Sequence, residues 1–209
     1  IGRMQEKQEK IYYITADNYK AAKSSPHLEI FRKKGIEVLL MADRVDEWLM
    51  SHLTEFEEKS FQSITHGALD LGDLEDEDSK KALEEAEKQV EGLAERVKAA
   101  LGDKVKDVKF THRLTDSPAC IVADEQGMTT QMIKLMQAAG QPVPEAQYHF
   151  EMNPEHQLVK LLAEVQDEEQ FSQWTDVLFD QAALSEQGSL KDPASFVQNF
   201  NKLLASLAK

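Results

Sequence analysis

Two short apolar runs, KIYYITA at 10–16 and IEVLL at 36–40, stand on either side of a stretch with helix punctuation. That order constrains the fold more than any other feature of the chain. Runs of β-branched and aromatic residues of this length read as buried strands. Between them Asp17 and Asn18 offer N-caps for YKAAKSS, and Pro26 can open a second helix through HLEIFRKK. Gly35 stands where that helix would end in a left-handed conformation. Asp43 is expected to cap a further helix, RVDEWLMSHL, with Val45, Trp48, Leu49 and His52 along one side. Strand, helix, strand, helix in this order predicts a parallel βαβ unit with a right-handed crossover.

The pattern then changes. Few large apolar residues follow Ile64, and residues 65–78, with Gly67, Gly72 and the acidic run that continues to Lys80, read as a linker leading into a helix. The carboxylates of that run lack the glycine and bidentate Glu spacing of a calcium loop. From Asp78 to Leu101 the apolar residues recur at threes and fours, which predicts one long amphipathic helix with Gly92 inside it. DVKFTHRL alternates through Val108, Phe110, His112 and Leu114, and ACIV at 119–122 follows the TDSP turn, so two strands joined by that turn are expected. QPVP makes a stiff loop, and Tyr148, Phe150 and Met152 alternate as a third strand.

The last third is helical. Asn153 with Pro154 starts one helix, Asp167 with Gln170 resembles a capping box for the next, and Asp192 with Pro193 begins the last. The helix EEQFSQWTDVLFDQAALSEQG, ending at Gly188, and the last one carry Phe171, Trp174, Leu178, Phe196, Phe200, Leu203, Leu204 and Leu207. A hairpin alone cannot bury both faces, so it either packs on the preceding α+β layer or pairs with a second copy as a four-helix bundle. The expected fold class is α+β overall: a small αβα unit with a parallel sheet, then an α+β unit ending in the helical hairpin.

The charge of −14 over 209 residues disfavours nucleic-acid phosphates and anionic membranes, both of which need clustered Lys and Arg. One cysteine excludes an internal disulfide and fits a reducing, cytoplasmic setting. No apolar window is long enough to span a bilayer, and a first residue of Ile suggests a piece of a longer protein. Chemistry is sparse. There is no phosphate loop, the six histidines never take a metal spacing, and no nucleophile elbow surrounds Ser117. No catalytic, cofactor or metal residue is expected, and Cys120 reads as a buried, inert thiol.

The stretch GMTTQMIKLMQAAG at 127–140 puts Met128, Met132, Leu135 and Met136 on one helical stripe. Burial in the chain's own core is one reading. A partner-binding surface is the other, because methionine adapts to varied shapes.

The blocks KIYYITADNYKAAKSSPHLEIFRKKGIEVLLMADRVDEWLMSHL, VKDVKFTHRLTDSPACIV and EMNPEHQLVK resemble the C-terminal half of the bacterial 90-kDa heat-shock chaperone family, the high-temperature protein G type. The resemblance runs in order over nearly the whole chain. It implies that residues 1–64 are the terminal αβα subdomain of the family's middle domain, 65–78 an acidic linker, and 79–209 the C-terminal dimerisation domain. It further implies a homodimer that binds unfolded or partly folded clients in an ATP-driven clamp. ATP and Mg would be held by the full-length chaperone and no cofactor by this portion, which is not itself an enzyme. By position, Met128, Met132, Leu135 and Met136 would hold clients together with Glu47, Trp48 and Ser51. The alternatives are a small-molecule α/β enzyme with its site near Asp17 and Asp43, and a purely structural dimeric adaptor.

Overall fold

The computed structural model describes residues 1–74, 77–125, 127–142 and 148–207, and for residues 73, 77, 78, 131 and 207 the backbone alone. Part of the acidic run and part of the QPVP loop therefore lie outside the described residues, as does the Leu207 side chain.

The first unit is built on β1 (Lys10–Thr15) and β2 (Val38–Met41), which pair in parallel with Tyr12 opposite Val38. Between them run α1 (Tyr19–Ser24) and α2 (Glu29–Lys34), the βαβ order expected from the punctuation. Asn18 caps α1 by accepting from the Ala21 amide, a turn at Pro26–Leu28 leads into α2, and Gly35 closes it at φ 65°. Alternation decides the two faces of the sheet. Tyr12 and Ile14 bury against Ala22, Leu28, Ile30 and Phe31 from the crossover. Tyr13 points the other way, where it meets Phe61 edge to face at 6.3 Å.

Three details of this unit differ from expectation. After α3 (Asp46–His52) the chain makes β3 (Glu55–Phe56) and β4 (Lys59–Ser63), giving the order β2-β1-β4-β3 with β4 parallel to β1. KSFQS has one large apolar residue and does not read as a strand; pairing to β1, not hydrophobicity, makes it one. Asp43 does not cap α3: its amide instead donates to the Asp46 carboxylate at 2.9 Å, and Val45 holds the cap position. The apolar side of α3 is also not its buried side. Glu47 and Met50 face inward, while Val45, Trp48 and Leu49 are exposed.

The second unit begins with α4 (Glu77–Gln89) and α5 (Leu93–Leu101). The single long helix expected here is broken, because Gly92 sits at φ 76° and restarts the chain in a new direction. Its three-stranded sheet has β7 (Tyr148–Met152) between β5 (Asp107–Phe110) and β6 (Ala119–Ala123), parallel to β5 and antiparallel to β6. Hence β5 and β6 are not the hairpin that the TDSP turn suggested. The strand stops at Phe110, and residues 111–118 leave the sheet. On one face of this sheet Ile121, Phe150 and Met152 pack with Leu93, Val97, Val159, Phe171 and Leu178 in the main core. On the other, Cys120 and Val122 form a small cluster with Leu114.

Between β6 and β7 lies α6 (Thr130–Ala138), and after β7 come α7 (Gln157–Glu164), α8 (Glu168–Gln187) and α9 (Pro193–Leu207). Asp167 caps α8 through the Gln170 amide as expected, and Gly188 ends it at φ 72°. At α7 the cap is His156, not Asn153, whose Oδ1 instead accepts from Glu155. No helix among the described residues is long and apolar enough to cross a membrane.

Candidate functional site

The segment that leaves the sheet after β5 carries the joint between the two units. Arg113 is 1% exposed. Its Nε donates to Glu151 Oε2 at 3.0 Å, its Nη2 to the Gly67 carbonyl at 3.1 Å, and its Nη1 to the Ile64 carbonyl. Burial pushes the Glu151 carboxyl up, but Arg113 and then Lys109 outweigh it and hold it below the usual range. His27, fully buried, places Nε2 3.3 Å from Glu186 Oε2. Nearby, burial lowers the pKa of His66.

The TDSP turn has a second task at this joint. Glu29 of α2 accepts through Oε2 from the amides of Thr115, Asp116 and Ser117 at 2.6, 2.8 and 3.1 Å, and through Oε1 from the Ser117 hydroxyl at 2.5 Å. Burial pushes the Glu29 carboxyl up, yet these donors together hold it below its ordinary value. By sequence Asp116 and Ser117 are turn residues only. Nothing in one turn's sequence shows that a glutamate 86 to 88 positions away will fill it.

This joint fixes where α6 stands against α3. Thr129 is the N-cap of α6: its hydroxyl oxygen accepts from the Met132 amide at 2.9 Å and its proton goes to Glu47 Oε1. One turn on, Lys134 reaches Asp17 at 2.5 Å. Asp17, expected as a helix cap, thus holds α6. On the other side Thr130 is 3.4 Å from Glu186 of α8.

The Met stripe lies half out of the protein. Met128, expected on the helix, precedes the Thr129 cap and so lies outside α6; it is 40% exposed, and Met132, Leu135 and Met136 are half-buried. Trp48 on α3 is 61% exposed and stacks over His52 with centroids 6.5 Å apart. Ser51 is exposed too, but its hydroxyl donates back to the Trp48 carbonyl at 2.8 Å. Glu47, grouped with these two, is 7% exposed and belongs to the interior. Its partner Thr129 carries one signal in the sequence, since a threonine just before an apolar helical stripe is an N-cap candidate.

Between α3 and α6 opens a cleft of about 430 Å³ lined by Asp17, Asp43, Arg44, Glu47, Lys134 and Leu135, among others. It lies at the carboxyl ends of β1 and β2, where open parallel sheets take ligands. Its lining sets three carboxylates, Asp17, Asp43 and Glu47, against two cations, Arg44 and Lys134. Among the described residues no group of His, Cys, Asp or Glu could hold a metal ion. Cys120 is buried, and burial raises its thiol pKa well above the ordinary value, so it is not poised as a nucleophile.

The terminal helices divide their apolar residues. Phe171 and Leu178 of α8 are spent in the chain's own core, with the Arg96 guanidinium 3.7 Å over the Phe171 ring. Trp174 packs at the edge of that core. On α9, Leu203 is buried, Phe196 is half-buried and stacks on Phe200 at 5.9 Å, and Val197, Phe200 and Leu204 are exposed.

A two-unit α+β chain with a tethered methionine helix and an apolar terminal hairpin is the architecture these residues define. The chain matches the family model described as Hsp90 protein over residues 1–209, and it belongs to that family. Among curated proteins it is similar to the Chaperone protein HtpG of Pseudoalteromonas translucida, 65% identical over all of this chain and 33% of that protein. The Chaperone protein HtpG of Colwellia psychrerythraea is 60% identical over all of this chain and 32% of its own length, and that of Shewanella pealeana 60% over 33%. The chain thus spans about a third of the length of the curated relatives it matches.

Proposed function

We propose that this chain is the dimerisation and client-binding portion of an ATP-dependent chaperone that assists protein folding in the cytoplasm. Residues 1–64 are then the end of the middle domain, 65–78 the connection, and 79–209 the dimerisation domain. ATP and magnesium belong, in this reading, to the remainder of the full-length protein. The observation that carries it is the half-exposed set of Met128, Met132, Leu135 and Met136, tied through Thr129 to Glu47, the residue next to the exposed Trp48 on α3. Exposed, adaptable apolar surface suits unfolded chains of many sequences. The exposed face of α9, with Phe200 and Leu204, supports pairing with a second copy, since helices so patterned bury that face in bundles.

Replacing Met128 and Met132 together by Ser tests the client surface. Each loses the apolar area it would bury, so suppression of client aggregation should weaken about tenfold or more while Tm moves little. A collapse of Tm would make the stripe core and sink the reading. Light scattering at micromolar concentration should give a dimer; a monomer would remove the second half of the proposal.

A further inference from the structure

Glu47 lies in the patch assigned to clients, yet it is 7% exposed and its Oε2 is buried with no hydrogen-bond partner among the described residues. It lines the cleft between α3 and α6, but so enclosed a side chain offers a bound polypeptide almost no surface. It touches Thr129, and Thr129 caps α6. We infer that Glu47 is a positioning residue for the partner-binding helix: it holds the Thr129 hydroxyl in the orientation that caps α6, and so fixes the angle at which the methionine stripe meets a client. This rests on the proposed function and says how that surface is kept in shape.

Three observations converge. First, α6 has 9 residues, Thr130–Ala138, and helices shorter than about 12 residues are marginal without outside support. Of its described side chains only Thr130 is buried, so packing supplies little of that support. Second, besides the weak contact of Thr130 with Glu186 of α8, the tethers on its first turns come from the other unit, Glu47 on α3 and Asp17 after β1. Third, Glu47 is an uneconomical residue for stability alone. A buried carboxylate with one oxygen unpartnered is disfavoured against an apolar side chain of similar size. Keeping it there makes sense if the bond to Thr129 matters for what α6 does.

The proposal separates Glu47 from a residue that contacts clients by charge. In the full chain, binding of fluorescent, permanently unfolded carboxymethylated α-lactalbumin is measured beside Tm and the hydrogen exchange of the α6 amides. Glu47→Met should leave Tm unchanged or raised, speed exchange at the Met132 and Ile133 amides, and weaken probe binding about fivefold, the value of one lost hydrogen bond. Glu47→Gln keeps an acceptor for Thr129 and should bind within about twofold of the parent. Thr129→Val should copy Glu47→Met, and the two together should be no worse than either. The inference is overturned if Glu47→Gln binds as weakly as Glu47→Met, or if Thr129→Val has no effect, for then the charge itself meets the client. Failure of the underlying reading looks different: the Met128→Ser/Met132→Ser protein would bind the probe as well as the parent.

Discussion

Removing the Arg113 guanidinium should uncouple the two units, and the cost can be worked from its partners. In Arg113→Met the Glu151 carboxylate, 2% exposed, keeps Lys109 at 3.3 Å and the Thr111 side chain, and the Ile64 and Gly67 carbonyls lose this donor. Breaking a buried ion pair by taking one partner away costs about 3–5 kcal/mol. Adding Glu151→Met removes the stranded charge and should recover part of this. What stays lost is the Ile64 carbonyl, about 1–3 kcal/mol for a buried acceptor without a donor. The Gly67 carbonyl, on a half-buried residue, can turn to water. The double variant should therefore be more stable than Arg113→Met alone by about 2 kcal/mol. The chain carries two tryptophans, one per unit, Trp48 on α3 and Trp174 on α8. Urea unfolding of the Trp48→Phe and Trp174→Phe backgrounds thus reports each unit alone. The transitions should coincide in the parent and separate in Arg113→Met. A loss under about 1 kcal/mol, or coincident transitions in Arg113→Met, would refute the reasoning.

Two further perturbations follow from local geometry. The Glu29 carboxyl titrates below its unfolded value, so its contribution is present above the unfolded pKa of about 4.3 and is lost as pH falls through the lower folded value. The Tm gap between the parent and Glu29→Gln should be constant above about pH 5 and narrow toward pH 3; a gap that persists at pH 3 would show the anchor is not ionic. In the turn between β3 and β4, Glu57 and Glu58 both have positive φ, 47° and 62°, a two-residue hairpin geometry that favours Asn-Gly. Glu57→Asn/Glu58→Gly should raise the urea midpoint by an amount worth about 1–2 kcal/mol, and an unchanged midpoint would count against strain at this turn.

Much of the local architecture was legible because its causes are local. The caps at Asn18, Gly35, Asp167 and Gly188 act within a few residues, and they hold. The alternation of Tyr148, Phe150 and Met152 and the βαβ order also hold, since period and crossover length are written in consecutive residues. The misses share the opposite property. KSFQS is a strand only because β1 offers it an edge, and 119–123 pairs with β7 because the chain between them returns on the far side. Gly92 could be carried in a helix or could end one. Packing of Leu93 and Val97 into the core selected the break.

The candidate surface shows the same division. Its apolar members, Met128, Met132, Leu135, Met136 and Trp48, were visible as a stripe and a patch, and family likeness carried them further. By itself the sequence determined which residues share a helix face, because 3.6 residues per turn is a property of the backbone. Whether that face is covered depends on what arrives opposite it. Only the tertiary structure decided that Trp48 stands out while Glu47 turns inward, that Asp17 holds α6 and not α1, and that Arg113, paired with the buried Glu151, reaches the Ile64 carbonyl of the first unit. Each of these contacts links residues 38 to 117 positions apart. Charge and hydrogen-bonding capacity are legible in a sequence, but the partner that satisfies them is chosen by the fold.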